Sequence, residues 1–173
     1  MGRYSLLLLL MITATELLTC LGHPVQFQDQ VTAGGDTVRY AIVFDAGSTK
    51  TKMEIYKTNL NAPPLDVSDI HQLDPSPSKV KPGIADLAGK PTAVEDYLKP
   101  LLTSAMKTVP REKHKSTPII FLATGGMRLL RADQANAILK EVKELFNDKN
   151  KCPFKFDSDD AKVISGAFEG YPF

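Results

Sequence analysis

Residues 40–57 read YAIVFDAGSTKTKMEIYK. Tyr40 to Phe44 is a continuous apolar run of strand length, as a buried sheet strand requires. From Thr51 to Lys57 the pattern alternates, with Met53 and Ile55 on one side and Lys52, Glu54 and Tyr56 on the other. Period two with one buried face predicts a second strand, antiparallel to the first across the loop AGSTK. A tight turn needs little more than a glycine and polar neighbours. This one also gathers Asp45, Ser48 and Thr49, an acid beside hydroxyl and amide donors, at a strand end. Such a cluster suits phosphate.

Working outward, Pro118 to Ala123 (PIIFLA) is another buried-strand run, ended by the turn TGGMR. Between the two runs, residues 58–92 are proline-rich and read as loop, with one short strand near Val67 to Leu73. Ala93 to Val109 has helical spacing at Val94, Leu98, Leu101, Leu102, Ala105 and Val109, and Pro100 within it is expected to bend or break the helix. The basic segment PREKHKST reads as a solvated connection. Asp133 is expected to cap a further helix striped by Ala135, Ile138, Leu139, Val142, Leu145 and Phe146. Short strands follow near Phe154 to Phe156 and Ala161 to Ser165. Strands and helices alternate, so the fold class is α/β.

The 173 residues suffice for one domain with a sizeable core, and 43% apolar content describes a globular chain. A net charge of +1 argues against a nucleic-acid surface. Residues 1–22 have a basic start, an apolar run and small residues near Gly22, which predicts a secretory signal peptide. Left uncleaved it would be an anchor, although Glu16 interrupts the run short of a full span. Residues 23–38 read as a linker and residues 39–173 as the folded part. With Cys20 in the leader, only Cys152 remains, and a lone cysteine in an oxidising compartment points to a partner elsewhere or to a missing piece of chain.

One arrangement recurs: a buried strand followed by a small polar turn. The turns are DAGST after Phe44, ATGG after Leu122 and SGAFEG after Ile164. Ligands of α/β sheets collect where loops leave strand ends, and glycines let backbone amides approach an anion. Asp45 carries the wrong charge for phosphate but can hold a divalent ion, or its water shell, that neutralises one.

These stretches resemble the signature regions of the apyrase family, the nucleoside triphosphate diphosphohydrolases. IVFDAGSTKTKMEIY resembles the first region, FLATGGMRLL the second and VISGAFEG the start of the third. VKPGIADL extends the likeness between them. The resemblance implies two RNase-H-like lobes of the actin-like ATPase superfamily, each with a mixed central sheet flanked by helices, and nucleotide in the cleft between them. This chain is expected to hold the amino-terminal lobe alone. Such an incomplete copy presents half a cleft and is expected to turn over little substrate.

Carried over to this sequence, the resemblance implies that Asp45 organises Ca²⁺ or Mg²⁺ through water. Ala46, Gly47, Ser48, Thr49, Gly125 and Gly126 would bind phosphate, Thr124 would position the attacking water, and Glu169 would be the base. The implied function is metal-dependent hydrolysis of nucleoside tri- and diphosphates; the alternative is a nucleotide-binding lobe without turnover. The leader implies a secretory-pathway location, most simply extracellular, with the Golgi or ER lumen and the cell surface as alternatives, and membrane attachment only through an uncleaved leader or a carboxyl-terminal anchor. Departures from the family pattern are Gly125 for its usual alanine, and Lys50 and Lys52 where glycine and arginine are common.

Overall fold

The structure, a computed structural model, describes residues 38–59 and 70–164. The leader, most of the linker, and the third turn with Glu169 lie outside the described residues. Strand β1 (Val38–Ala46) pairs antiparallel with β2 (Thr51–Asn59), Phe44 opposite Met53 and Ala46 opposite Thr51. The expected hairpin is therefore present, with its loop one residue shorter than AGSTK because Ala46 is already paired. Two short strands, β3 (His71–Leu73) and β4 (Lys79–Val80), flank the other side of β2. β4 was not foreseen. Helix α1 (Val94–Thr108) then crosses to β5 (Ile119–Ala123), which pairs parallel with β1. After the single turn α2 (Gly125–Arg128) and helix α3 (Ala132–Asn147), β6 (Ala161–Val163) pairs parallel with β5. The result is a mixed sheet in the order β3-β2-β1-β5-β6.

Ile42, Phe44, Met53, Ile55 and Phe121 of the sheet share one buried cluster with Leu98 and Leu101 of α1 and Ile138, Val142 and Phe146 of α3. Residues three and four apart lie on one side of a helix, so the apolar stripes read from sequence face this cluster. The rings of Phe44 and Phe146 are 5.6 Å apart, within the range of favourable aromatic pairs.

Several local expectations need correction. The Lys52, Glu54 and Tyr56 side of β2 is not an open face: Glu54 and Tyr56 are both buried. The Glu54 carboxylate accepts from the Tyr56 hydroxyl at 2.8 Å, Lys52 at 2.5 Å and Gln72 at 3.2 Å. Burial first, then this carboxylate, raises the Tyr56 phenol well above its usual range. Helix α1 runs unbroken through Pro100, where Pro100 and Asp96 are both exposed, so water can serve the carbonyl that proline leaves without a donor. Asp133 is not the cap of α3. Arg131 occupies that position, its N–H donating to Gln134 Oε1 at 3.3 Å, while Asp133 sits in the first turn, paired with the Arg131 guanidinium. The strand expected near Phe154 to Phe156 is reduced to a bridge between Lys155 and Pro118. Among the described residues, no helix is long and apolar enough to cross a membrane.

Cys152 is fully buried in the main cluster, so its environment is that of a core side chain. Burial pushes its thiol up to about 11. Both effects suppress the reactive thiolate. In a Cys20→Ser background, a colourless-to-yellow thiol reagent at pH 8 should leave native protein unmodified and titrate Cys152 only in denaturant. Rapid native labelling would show that the site opens readily.

Candidate active site

Strands β1, β5 and β6 run parallel, and their ends are level: Ala46 pairs with Ala123, and Ala123 with Val163. The first two polar turns singled out in the sequence thus leave from one edge of the sheet, where β6 also ends. Ile164 still donates its N–H to the Ala123 carbonyl at 2.9 Å, at the point where the third turn begins. Thr124 joins the first two turns directly. Its N–H donates to the Ala46 carbonyl at 3.0 Å, and its hydroxyl lies 3.4 Å from the same oxygen.

Between these two turns is a cleft of about 320 Å³ lined by Asp45, Gly47, Ser48, Thr49, Thr124 and Gly125, together with Lys50, Lys52 and Arg128. Most of the expected site residues are therefore brought together. Two are placed differently. Ala46 is fully buried and contributes its carbonyl to the Thr124 contact, while Gly126 is buried beneath Ser48. Neither lines the cleft. Glu169 lies outside the described residues.

Lys50, Lys52 and Arg128 bring three cationic side chains to the lining, Lys52 being also tied to Glu54. Beside the hydroxyls and backbone amides of the same lining, these cations suit a polyanion. Arg128 carried no role in the sequence reading; the only signal was a basic residue just past the TGG turn. Among the described residues, no three His, Cys, Asp or Glu side chains gather as a metal cage. One carboxylate amid hydroxyl oxygens fits a hard divalent ion that keeps much of its water and is completed by substrate phosphates. The residues present are compatible with Ca²⁺ or Mg²⁺ in that form.

Comparison with known proteins matches residues 31–172 to the GDA1/CD39 (nucleoside phosphatase) family. The chain belongs to this family. Mouse ectonucleoside triphosphate diphosphohydrolase 4 is 41% identical over 140 residues, which is 78% of this chain and 22% of that protein. Mouse ectonucleoside triphosphate diphosphohydrolase 7 is 36% identical over 181 residues, 95% of this chain and 29% of that protein. Chicken ectonucleoside triphosphate diphosphohydrolase 5 is 37% identical over 131 residues. The chain thus spans under a third of these relatives' length. A crystal structure of nucleoside triphosphate hydrolases from Neospora caninum superposes with a TM-score of 0.55 at 13% identity, covering 77% of this chain and 30% of that chain. That likeness is one of fold, and the expected α/β class, a mixed central sheet with flanking helices, is the one found.

Proposed function

We propose that this nucleoside phosphatase family member contributes the amino-terminal half of a site that hydrolyses nucleoside tri- and diphosphates, releasing phosphate in a divalent-metal-dependent reaction. The observation that carries the reading is the shared cleft, whose lining combines Asp45, Ser48, Thr49 and Thr124 with three cationic side chains. Ser48 and Thr49, through hydroxyls and neighbouring amides, hold the terminal phosphate. Thr124, fixed to the end of β1, orients a water for in-line attack. Glu169 accepts the proton of that water as its oxygen bonds to phosphorus and the bond to the nucleotide's bridging oxygen breaks. Asp45 would hold Ca²⁺ or Mg²⁺ through water. When bound, the ion offsets the negative charge that repels the incoming oxygen. The residue 1–22 leader supports a secretory route for the protein.

In the two-lobed protein that the family implies, Glu169→Gln is expected to lower phosphate release from a nucleoside diphosphate by about 10²–10⁴-fold, the usual contribution of a positioned base. Nucleotide affinity should change little, because the amide keeps the carboxylate's shape. Release at the unaltered rate would remove Glu169 from the reaction.

A further inference from the structure

The loop that closes the β1–β2 hairpin is held from below by two glycines distant in sequence. Gly83 follows β4 in the VKPGI stretch, and its backbone (φ −65°, ψ 150°) is open to any residue, so conformation does not require glycine there. Space does. A Cβ at Gly83 would lie 2.3 Å from the Ser48 carbonyl oxygen, 2.6 Å from the Ser48 carbonyl carbon and 2.8 Å from the Gly47 oxygen. These atoms are backbone and cannot swing aside. From the β5 side, a Cβ at Gly126 would lie 2.9 Å from Ser48 Cα and 3.3 Å from Ala85 Cβ. The neighbouring Gly125 differs: a Cβ there meets only the end of the Arg128 side chain, at 3.7 Å.

A third contact ties the Gly83 segment to the hairpin. The Tyr97 hydroxyl, reaching from α1, donates to the Pro82 carbonyl and is hydrogen-bonded to Thr51 Oγ1 at 3.0 Å. It therefore links the residue before Gly83 to the first residue after the loop. Thr51 is fully buried, and Met53 N–H donates to the Ser78 carbonyl at 2.7 Å. Both ends of the 78–83 segment are thus stitched to β2.

We propose that Gly83 and Gly126 form a two-sided slot for the Gly47–Ser48 backbone, with Tyr97 as its tie, and that all three are positioning residues for Ser48 and Thr49. Gly126 then serves by lacking a side chain, and Gly83 acts without touching the cleft. A displacement of even an ångström in a hydroxyl and amide set is enough to misalign it on an anion. The consequence for ligand binding rests on the proposed phosphate-holding role of this loop; the slot itself does not.

Amide resonances of the whole 173-residue chain test it, with inorganic phosphate as the probe. Gly83→Ala and Gly126→Ala are expected to shift Gly47, Ser48 and Thr49, leave Phe121 and Val142 in place, and weaken the phosphate response of the loop at least about tenfold. Gly89→Ala, where a Cβ would meet nothing within 4 Å, should behave as the unaltered chain. Loop resonances unmoved by Gly83→Ala would overturn the slot. If either alanine variant fails to fold, Tyr97→Phe decides: loss of the tie should speed hydrogen exchange at Ser48 and shift Thr51 and Gly83, and no change at these positions refutes the proposal. An unaltered chain that ignores phosphate would defeat the functional reading of the loop, while the resonance shifts still judge the slot.

Discussion

Phe44→Ala is expected to destabilise the fold by about 3–5 kcal/mol, the usual cost of emptying a buried phenylalanine site. Phe44 is fully buried, its ring 5.6 Å from Phe146 of α3 and 6.2 Å from Phe121 of β5. It sits in the central strand, so no edge movement can close the cavity, and interiors packed like crystals relax little. Domains are stable by only about 5–15 kcal/mol, so this one change consumes a large share of the total. The midpoint of urea unfolding reads the effect directly. Leu129, 88% exposed, provides the contrast, and its alanine variant should fall within about 0.5 kcal/mol of the unaltered chain. A Phe44→Ala loss under 1 kcal/mol would mean that the sheet and helices are not joined through this ring.

Asp45→Ala should abolish metal stimulation and rate together in the two-lobed protein. Asp45 lies opposite Lys52 on β2 and beside Leu122 on β5, at the cleft end of the central strand. It is the only carboxylate among the residues that line the cleft within the described part of the chain. A carboxylate acting on an ion through its water shell typically accounts for about 10–100-fold in metal affinity. Phosphate release measured across a Ca²⁺ or Mg²⁺ titration should therefore show half-saturation displaced by that factor in Asp45→Asn. In Asp45→Ala no stimulation should remain. Metal-stimulated turnover that survives both changes would place the ion's anchor elsewhere.

Much of this architecture could be read from residue patterns, and the failures have physical causes. The apolar runs at Tyr40–Phe44 and Pro118–Ala123 became the central strands because a strand covered on both faces has no polar alternation to show. The α3 stripe was equally plain. Periodicity separates two faces of a strand but does not say what covers the second. Glu54 and Tyr56 therefore looked exposed, although hydrogen bonds to each other, Lys52 and Gln72 make their burial affordable. β4 is two residues long and exists through its partner strand, a tertiary cause that local sequence cannot carry. The same limit applied to the site. The polar turns announced themselves by composition, and the shared edge of the first two followed from parallel pairing. The role of Gly83 did not, because its glycine answers to Ser48, thirty-five positions away along the chain.

The link between Thr124 and Ala46 spans 78 positions, and this separation orders events during synthesis. The β1–β2 hairpin is local and can zip as soon as it leaves the ribosome, whereas closing β5 against β1 must await the whole intervening segment and its loop-closure entropy. On the proposed function, nucleotide would not act as a template for the early hairpin, since the second of the two turns has yet to be brought to it. Ligand can only lock the late, parallel closure, so added nucleotide should slow unfolding of the finished lobe without hastening its first steps.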